Sequence, residues 1–224
     1  MSPKVIKLGK DNDFVYMIQA KINGVNGKSS SREEKLDIWY KLGVYAKKYQ
    51  EIKRIEVREF EEHEFHDNWK SRLNYNINEL NDQDSLLKNK ILSKEVQEKS
   101  IGKLLELKGK GLKEGLVHGV TCPRNVIMSN DDVYLLDWGT AEINVSPHIE
   151  IGLVLMSKEA NEDEFDNFLK GVEMSKTEYA KIEEEILKLN LLYRLDKYRW
   201  AESYDIEHIG EYESNIIEAF EKLK

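Results

Sequence analysis

Apolar and polar positions alternate in short runs over the first thirty residues. "KVIKL" and "FVYMIQAKI" flank the polar stretch "GKDND", a pattern that predicts two strands joined by a turn. "NGVNGKSSS" then breaks the alternation with Gly24, Gly27 and three serines, as a loop does. From Ser30 the period becomes helical: Leu36, Trp39, Leu42, Gly43, Ala46 and Tyr49 recur on one face, and Ser30 with Glu33 fits a capping box. A helix of about five turns is expected there.

The stretch from His63 to Leu80 is amphipathic without clear bounds and reads as one or two short helices around Trp69 and Ile77. Ser93 can cap a helix through Val96, Ile101, Leu104, Leu105 and Leu107 that ends in the glycine-rich "GKGLKEG". After Gly115 the pattern is strand-like again: "LVHG", "NVIM", the turn "SNDD" and "VYLLDW", consistent with a short hairpin between loops. Three further helices are expected around residues 160 to 170, 176 to 200 and 205 to 223. Strands segregated from helices predict an α+β fold rather than an alternating α/β one.

Composition narrows the function. With 224 residues, 40% hydrophobic content, four Trp and eleven Tyr, the chain can bury a substantial core. A net charge of −8 and no block of five like charges give no electrostatic reason to expect nucleic acid or an anionic membrane as partner, which directs attention to small molecules or proteins. The lone Cys122 cannot form an internal disulfide, and the polar start lacks the apolar run of a secretion signal. No stretch approaches the roughly 18 apolar residues of a membrane span. A cytoplasmic location is expected.

The candidate chemistry lies in "GLVHGVTCPRNVIMSNDDVYLLDWGTAE", residues 115 to 142. Transfer of a phosphoryl group needs alignment and charge neutralisation more than covalent chemistry. An acidic residue accepts or orients the acceptor hydroxyl's proton, an amide oxygen five positions later can hold a magnesium ion, and an aspartate on a neighbouring strand end holds that ion against the phosphates. Here "HGVTCPRN" runs from His118 to Asn125 with Val120 five positions before the asparagine, Asp137 follows Asn125 by twelve, and the turn between "NVIM" and "VYLLDW" would fold Asn125 toward Asp137.

On these residues the chain resembles the aminoglycoside phosphotransferases and related kinases of the protein-kinase-like fold, whose catalytic loop reads His-Gly-Asp, four residues, then Asn, followed by an Asp-Trp or Asp-x-Gly motif. The resemblance implies a structural role for His118, magnesium ligation by Asn125 and Asp137, and ATP or GTP as the nucleotide. It sets Val120 at the place of the catalytic aspartate. "FVYMIQAKINGVNG" resembles the last small-lobe strand and hinge, where backbone near Gln19, Ala20 and Lys21 would meet a nucleotide base. "IWYKLGVYAKKYQEI" resembles the helix that follows, and "PHIEIGLVL" the segment after the metal motif, with Glu150 where aspartate is more usual. The implied domains are a remnant small-lobe hairpin and hinge at 1–24 and a large lobe at 25–224.

Two departures bear on activity. Val120 cannot accept a proton, and loss of a general base costs about 10²- to 10⁴-fold in rate. About thirteen residues precede the hinge strand, none forming a glycine-rich turn, and Lys4, Lys7 and Lys10 lie on or beside the first strand, so a truncated small lobe without a phosphate cradle is expected. The expected function is that of a degenerate, pseudokinase-like phosphotransferase relative with weak or absent nucleotide and magnesium binding. The alternatives are an active ATP-dependent phosphotransferase on a small hydroxylated substrate, and a non-catalytic module for a cationic ligand or peptide. A two-stranded hairpin has free edges, so a homodimer or a partner protein is expected through residues 3 to 22. "HEFH" at His63 to His66 lacks a third metal ligand, Cys122 lacks an activating neighbour, and "EVREFEEHEFHD" reads as a solvated helix face. Trp39, Trp69, Tyr193 and Trp200 read as core.

Overall fold

The computed structural model describes residues 2–12, 14–53, 68–130 and 132–223. The chain opens with an antiparallel hairpin, β1 (Val5–Asp11) and β2 (Phe14–Gln19), in which Leu8 faces Met17 and Lys10 faces Val15. β1 thus runs through the Gly9–Asp11 part of the expected turn. Asn12, at φ 52°, takes the positive-φ position that a tight connection needs, which lets Lys10 and Asp11 join the ladder.

β3 (Val25–Asn26) and a 3-10 turn lead into α1 (Arg32–Tyr49). The capping box forms one residue later than expected: Ser31 Oγ accepts the Glu34 N–H at 3.3 Å, and the Glu34 carboxylate accepts the Ser31 N–H at 2.7 Å. Both serines satisfy the spacing, but the preceding turn engages the Ser30 N–H with Gly27 O at 3.2 Å, so the helix starts after it.

α2 (Trp69–Glu79), α3 (Ser85–Lys88) and α4 (Lys94–Leu105) follow, the last capped by Ser93 as expected. The part of the His63–Leu80 stretch before Asn68, including "HEFH", and the whole acidic run "EVREFEEHEFHD" lie outside the described residues. Next come β4 (Glu114–Val117), β5 (Val126–Ser129), β6 (Asp132–Leu135) and β7 (Glu142–Val145). α5 (His148–Ser157), α6 (Glu162–Val172), α7 (Lys176–Tyr204) and α8 (Ile209–Glu221) complete the chain. β5 is the centre of an antiparallel β3-β5-β6 sheet, while β4 pairs with β7, Leu116 facing Ile143.

Two apolar clusters hold these elements. One joins Ile38, Trp39, Leu42 and Tyr49 of α1 to Val126, Val133, Leu135, Ile151 and Phe168. The other joins Trp69 and Leu73 of α2 to Leu104, Val117, Val145, Leu192, Leu195 and Tyr198. α7 feeds both, through Ile186 and Leu189 respectively. α1 and α6 touch backbone to backbone: a Cβ on Gly43 would lie 2.1 Å from Phe168 O, and one on Gly171 2.0 Å from Tyr40 O. No residue of β1 or β2 enters either cluster, and Leu8, Phe14, Val15 and Met17 are exposed. Among the described residues no helix is long and apolar enough to cross a membrane.

Candidate functional site

The loop between β4 and β5 sits where the two clusters meet, Val117 belonging to one and Cys122 and Val126 to the other. His118 is fully buried and organises it. Its ring Nε2 lies 2.9 Å from Leu136 O, and its Nδ1 lies 3.3 Å from the Val120 N–H. The second contact makes Nδ1 an acceptor, so Nε2 carries the proton and donates. Burial lowers the His118 pKa, outweighing the Leu136 carbonyl and the nearby Asp137 charge, which keeps the ring neutral. The His118 backbone is tied as well: its N–H donates to Glu150 Oε2 at 2.8 Å, and Thr140 Oγ1 donates to its carbonyl at 3.1 Å. Gly119, at φ 89°, turns the chain where a Cβ would lie 2.8 Å from Thr140 Oγ1.

Glu150 is fully buried beneath this loop. Burial pushes its carboxyl up, further than the Thr121 hydroxyl and the His118 N–H pull it down. Asn125 closes the loop from the other end, its Nδ2 donating to Val120 O at 2.9 Å. Among the described residues no hydrogen bond engages its Oδ1. The Leu136 N–H donates to Asn125 O at 2.8 Å, which brings the end of β6 and therefore Asp137 beside the loop. Asp137 is exposed, adopts a left-handed conformation at φ 60° and ψ 63°, and makes no cap hydrogen bond. A positive φ at a non-glycine residue sets the direction of the Cα–Cβ bond at a cost of about 1–3 kcal/mol.

Val120 is half-buried, its side chain packed against the α1 cluster. Cys122 is buried and its thiol pKa is raised by burial, as an inert cysteine requires. Gln19 ends β2, and Ala20 and Lys21 follow it, with the Ala20 N–H already donating to Lys4 O at 2.8 Å.

The model of the phosphotransferase enzyme family matches residues 1–184. The chain belongs to that family. Among solved structures, the GDP and kanamycin complex of the aminoglycoside phosphotransferase APH(2'')-IIIa is 12% identical with a TM-score of 0.70, over 99% of this chain and 76% of that one. The choline kinase LicA from Streptococcus pneumoniae is 14% identical at a TM-score of 0.63, over 99% and 75%. The streptomycin–ATP complex of APH(2'')-IIa is 18% identical at 0.62, over 97% and 74%. At these identities the likeness shows the shared kinase-like fold. No curated protein matches the sequence significantly.

The phosphotransferase fold adds a feature that spacing did not reveal. A cavity of about 290 Å³ opens beside Gly119 and Thr140, walled by Arg72 of α2, Glu142 of β7, and Tyr193, Asp196, Lys197 and Trp200 of α7. Tyr193 and Trp200 are half-buried and line it, whereas Trp39 and Trp69 are core. The expectation of core packing fails for the first pair because α7 is buried along only part of its circumference. Tyr193, Lys197 and Trp200 recur at helical spacing, the one signal that could have exposed this wall; Arg72 and Glu142 lie far apart in sequence and carried none.

Proposed function

We propose that this family member binds small ligands at a kinase-like loop without transferring phosphoryl groups at an appreciable rate. One observation carries the proposal: the loop position that must take the acceptor's proton holds Val120, whose side chain packs into an apolar cluster. His118 cannot substitute as base, since both ring nitrogens are engaged with backbone. Glu150 is fully buried and out of reach of an acceptor.

The remaining donors suit a magnesium–nucleotide in part. Asn125 Oδ1 and the Asp137 carboxylate are hard oxygen donors of the kind magnesium takes. Bound there, magnesium would neutralise phosphate charge. Among the described residues no group of three or more His, Cys, Asp and Glu is set to hold a metal, so nucleotide oxygens and water must supply the rest of its shell. Relatives crystallised with GDP and kanamycin or with ATP and streptomycin, and a choline kinase, indicate the ligand classes to try.

Calorimetric titration with ATP and GTP, with and without magnesium, tests the nucleotide side, and transfer to kanamycin, streptomycin and choline tests turnover. Weak magnesium-dependent binding that Asp137→Ala removes, without turnover, is the expected result. Sustained phosphorylation of any acceptor by the pure protein would overturn the proposal. It would favour instead an active phosphotransferase, a possibility supported by the unengaged oxygens of Asn125 and Asp137.

A further inference from the structure

We propose that the cavity beside Gly119 takes an uncharged polyhydroxylated molecule, one sugar ring in size, and rejects cations. The inference rests on the proposed binding of small ligands at the kinase-like loop, whose Gly119 and Thr140 border this cavity, and it deepens that reading by naming the ligand class.

The wall carries two acids and two bases, so its formal charges balance, and Arg72 lies against both acids. Arg72 forks onto Glu142, with Nη1 to Oε1 at 2.9 Å and Nη2 to Oε2 at 2.5 Å, and its Nε lies 3.9 Å from Asp196 Oδ2. Asn144 Nδ2 donates to Glu142 Oε1 at 2.8 Å, and Asn76 Nδ2 donates to Asp196 Oδ1 at 3.1 Å. Two carboxylates that would draw an ammonium group are therefore already served by a guanidinium and two amides. A bidentate fork of this kind is among the stronger charge-assisted pairings, and it is half-buried, where solvent screens it less.

The aromatic faces are occupied too. Lys197 Nζ lies 5.5 Å from the Tyr193 ring centre and 5.8 Å from that of Trp200. Those rings would otherwise offer the cation–π surface that quaternary ammonium ligands seek. A cationic ligand would have to displace Lys197 and compete with Arg72. A neutral ring displaces neither. Its hydroxyls can use remaining lone pairs of Glu142 and Asp196, and its C–H face can lie on the half-buried Leu153. At about 290 Å³ the cavity is at the small end for ligand sites, which suits a single ring.

The test uses one scaffold with three charges. Glucose, glucosamine and glucuronate are titrated into the whole protein, followed by saturation-transfer NMR, with no nucleotide present. Sugar binding is then read independently of the nucleotide, and a failed nucleotide titration leaves it readable. Glucose is expected to bind at least about tenfold tighter than either charged analogue, with little dependence on salt. Trp200→Ala should abolish the signal. In Lys197→Ala, tetramethylammonium, inert toward the parent, should now bind because the two ring faces are freed. Tighter binding of glucosamine than glucose, no binding of any sugar, or tetramethylammonium binding equally to parent and Lys197→Ala would overturn the proposal.

Discussion

Restoring the acid by Val120→Asp separates a lost base from a lost site. The substitution exchanges two methyl groups for a carboxylate at a half-buried position on the α1 cluster. The lost apolar burial costs about 1 kcal/mol, on the scale of a fully buried valine at about 1.5–3 kcal/mol, and desolvation of the new charge adds to it unless the side chain turns to solvent. The surrounding loop should hold, because its geometry rests on main-chain contacts: Asn125 Nδ2 on Val120 O and the Val120 N–H on His118 Nδ1 are independent of side chain 120. A correctly placed general base contributes about 10²- to 10⁴-fold. Single-turnover release of labelled γ-phosphate from ATP or GTP with magnesium, to water and to glucose, should therefore rise by that factor over the parent. The gain should vanish on adding Asp137→Ala. A Val120→Asp protein that binds nucleotide like the parent, melts within a few degrees of it and turns over no faster would refute the reasoning, since the loop would then lack more than its acid.

Further outcomes follow from the packing and the buried charge. Gly43→Ala would put a methyl group 2.1 Å from Phe168 O and 2.9 Å from Gly171 Cα, so α1 and α6 must separate; a loss of about 1–3 kcal/mol or more is expected in urea unfolding, and no loss would show that the crossing is looser than described. Glu150 has a raised pKa in the folded state, so its contribution is fully present below the unfolded value near 4.3 and is lost as pH rises through the folded value. Glu150→Gln keeps an acceptor for the His118 N–H and removes that dependence. Its stability relative to the parent should improve as pH rises above the unfolded value of about 4.3, and a difference that stays constant across that rise would contradict the assignment. The hairpin exposes Leu8, Phe14, Val15 and Met17 and carries Lys4, Lys7 and Lys10 on a chain of net charge −8, so a second copy is its expected cover. Sedimentation should show mass above the monomer that Phe14→Lys with Val15→Lys reduces; a monomer at every concentration would count against it.

Local patterns predicted most elements. Ser93 and the helical spacings of α1 and α7 predicted helices that formed, because caps and one-sided burial act within a few turns of chain. β7 and α5 were missed for opposite reasons. β7 is four residues long and its partner β4 lies some thirty residues upstream, so only the pairing makes it a strand. In α5, Ile149, Glu150, Ile151, Gly152 and Val154 are buried on all sides, which erases the polar face that signals a helix.

By itself the sequence determined the family and the order of the chemistry-bearing residues, since His118, Val120, Asn125 and Asp137 are set by spacing along one loop and one hairpin. It also determined what is lacking, because a valine cannot take a proton in any fold. Only the tertiary structure decided how Glu150 props that loop, and that Arg72, Glu142, Asp196 and Lys197 meet and cancel in one cavity. Charge pairing and burial depend on through-space distance, and residues 70 and 124 positions apart acquire a distance only when the helices pack.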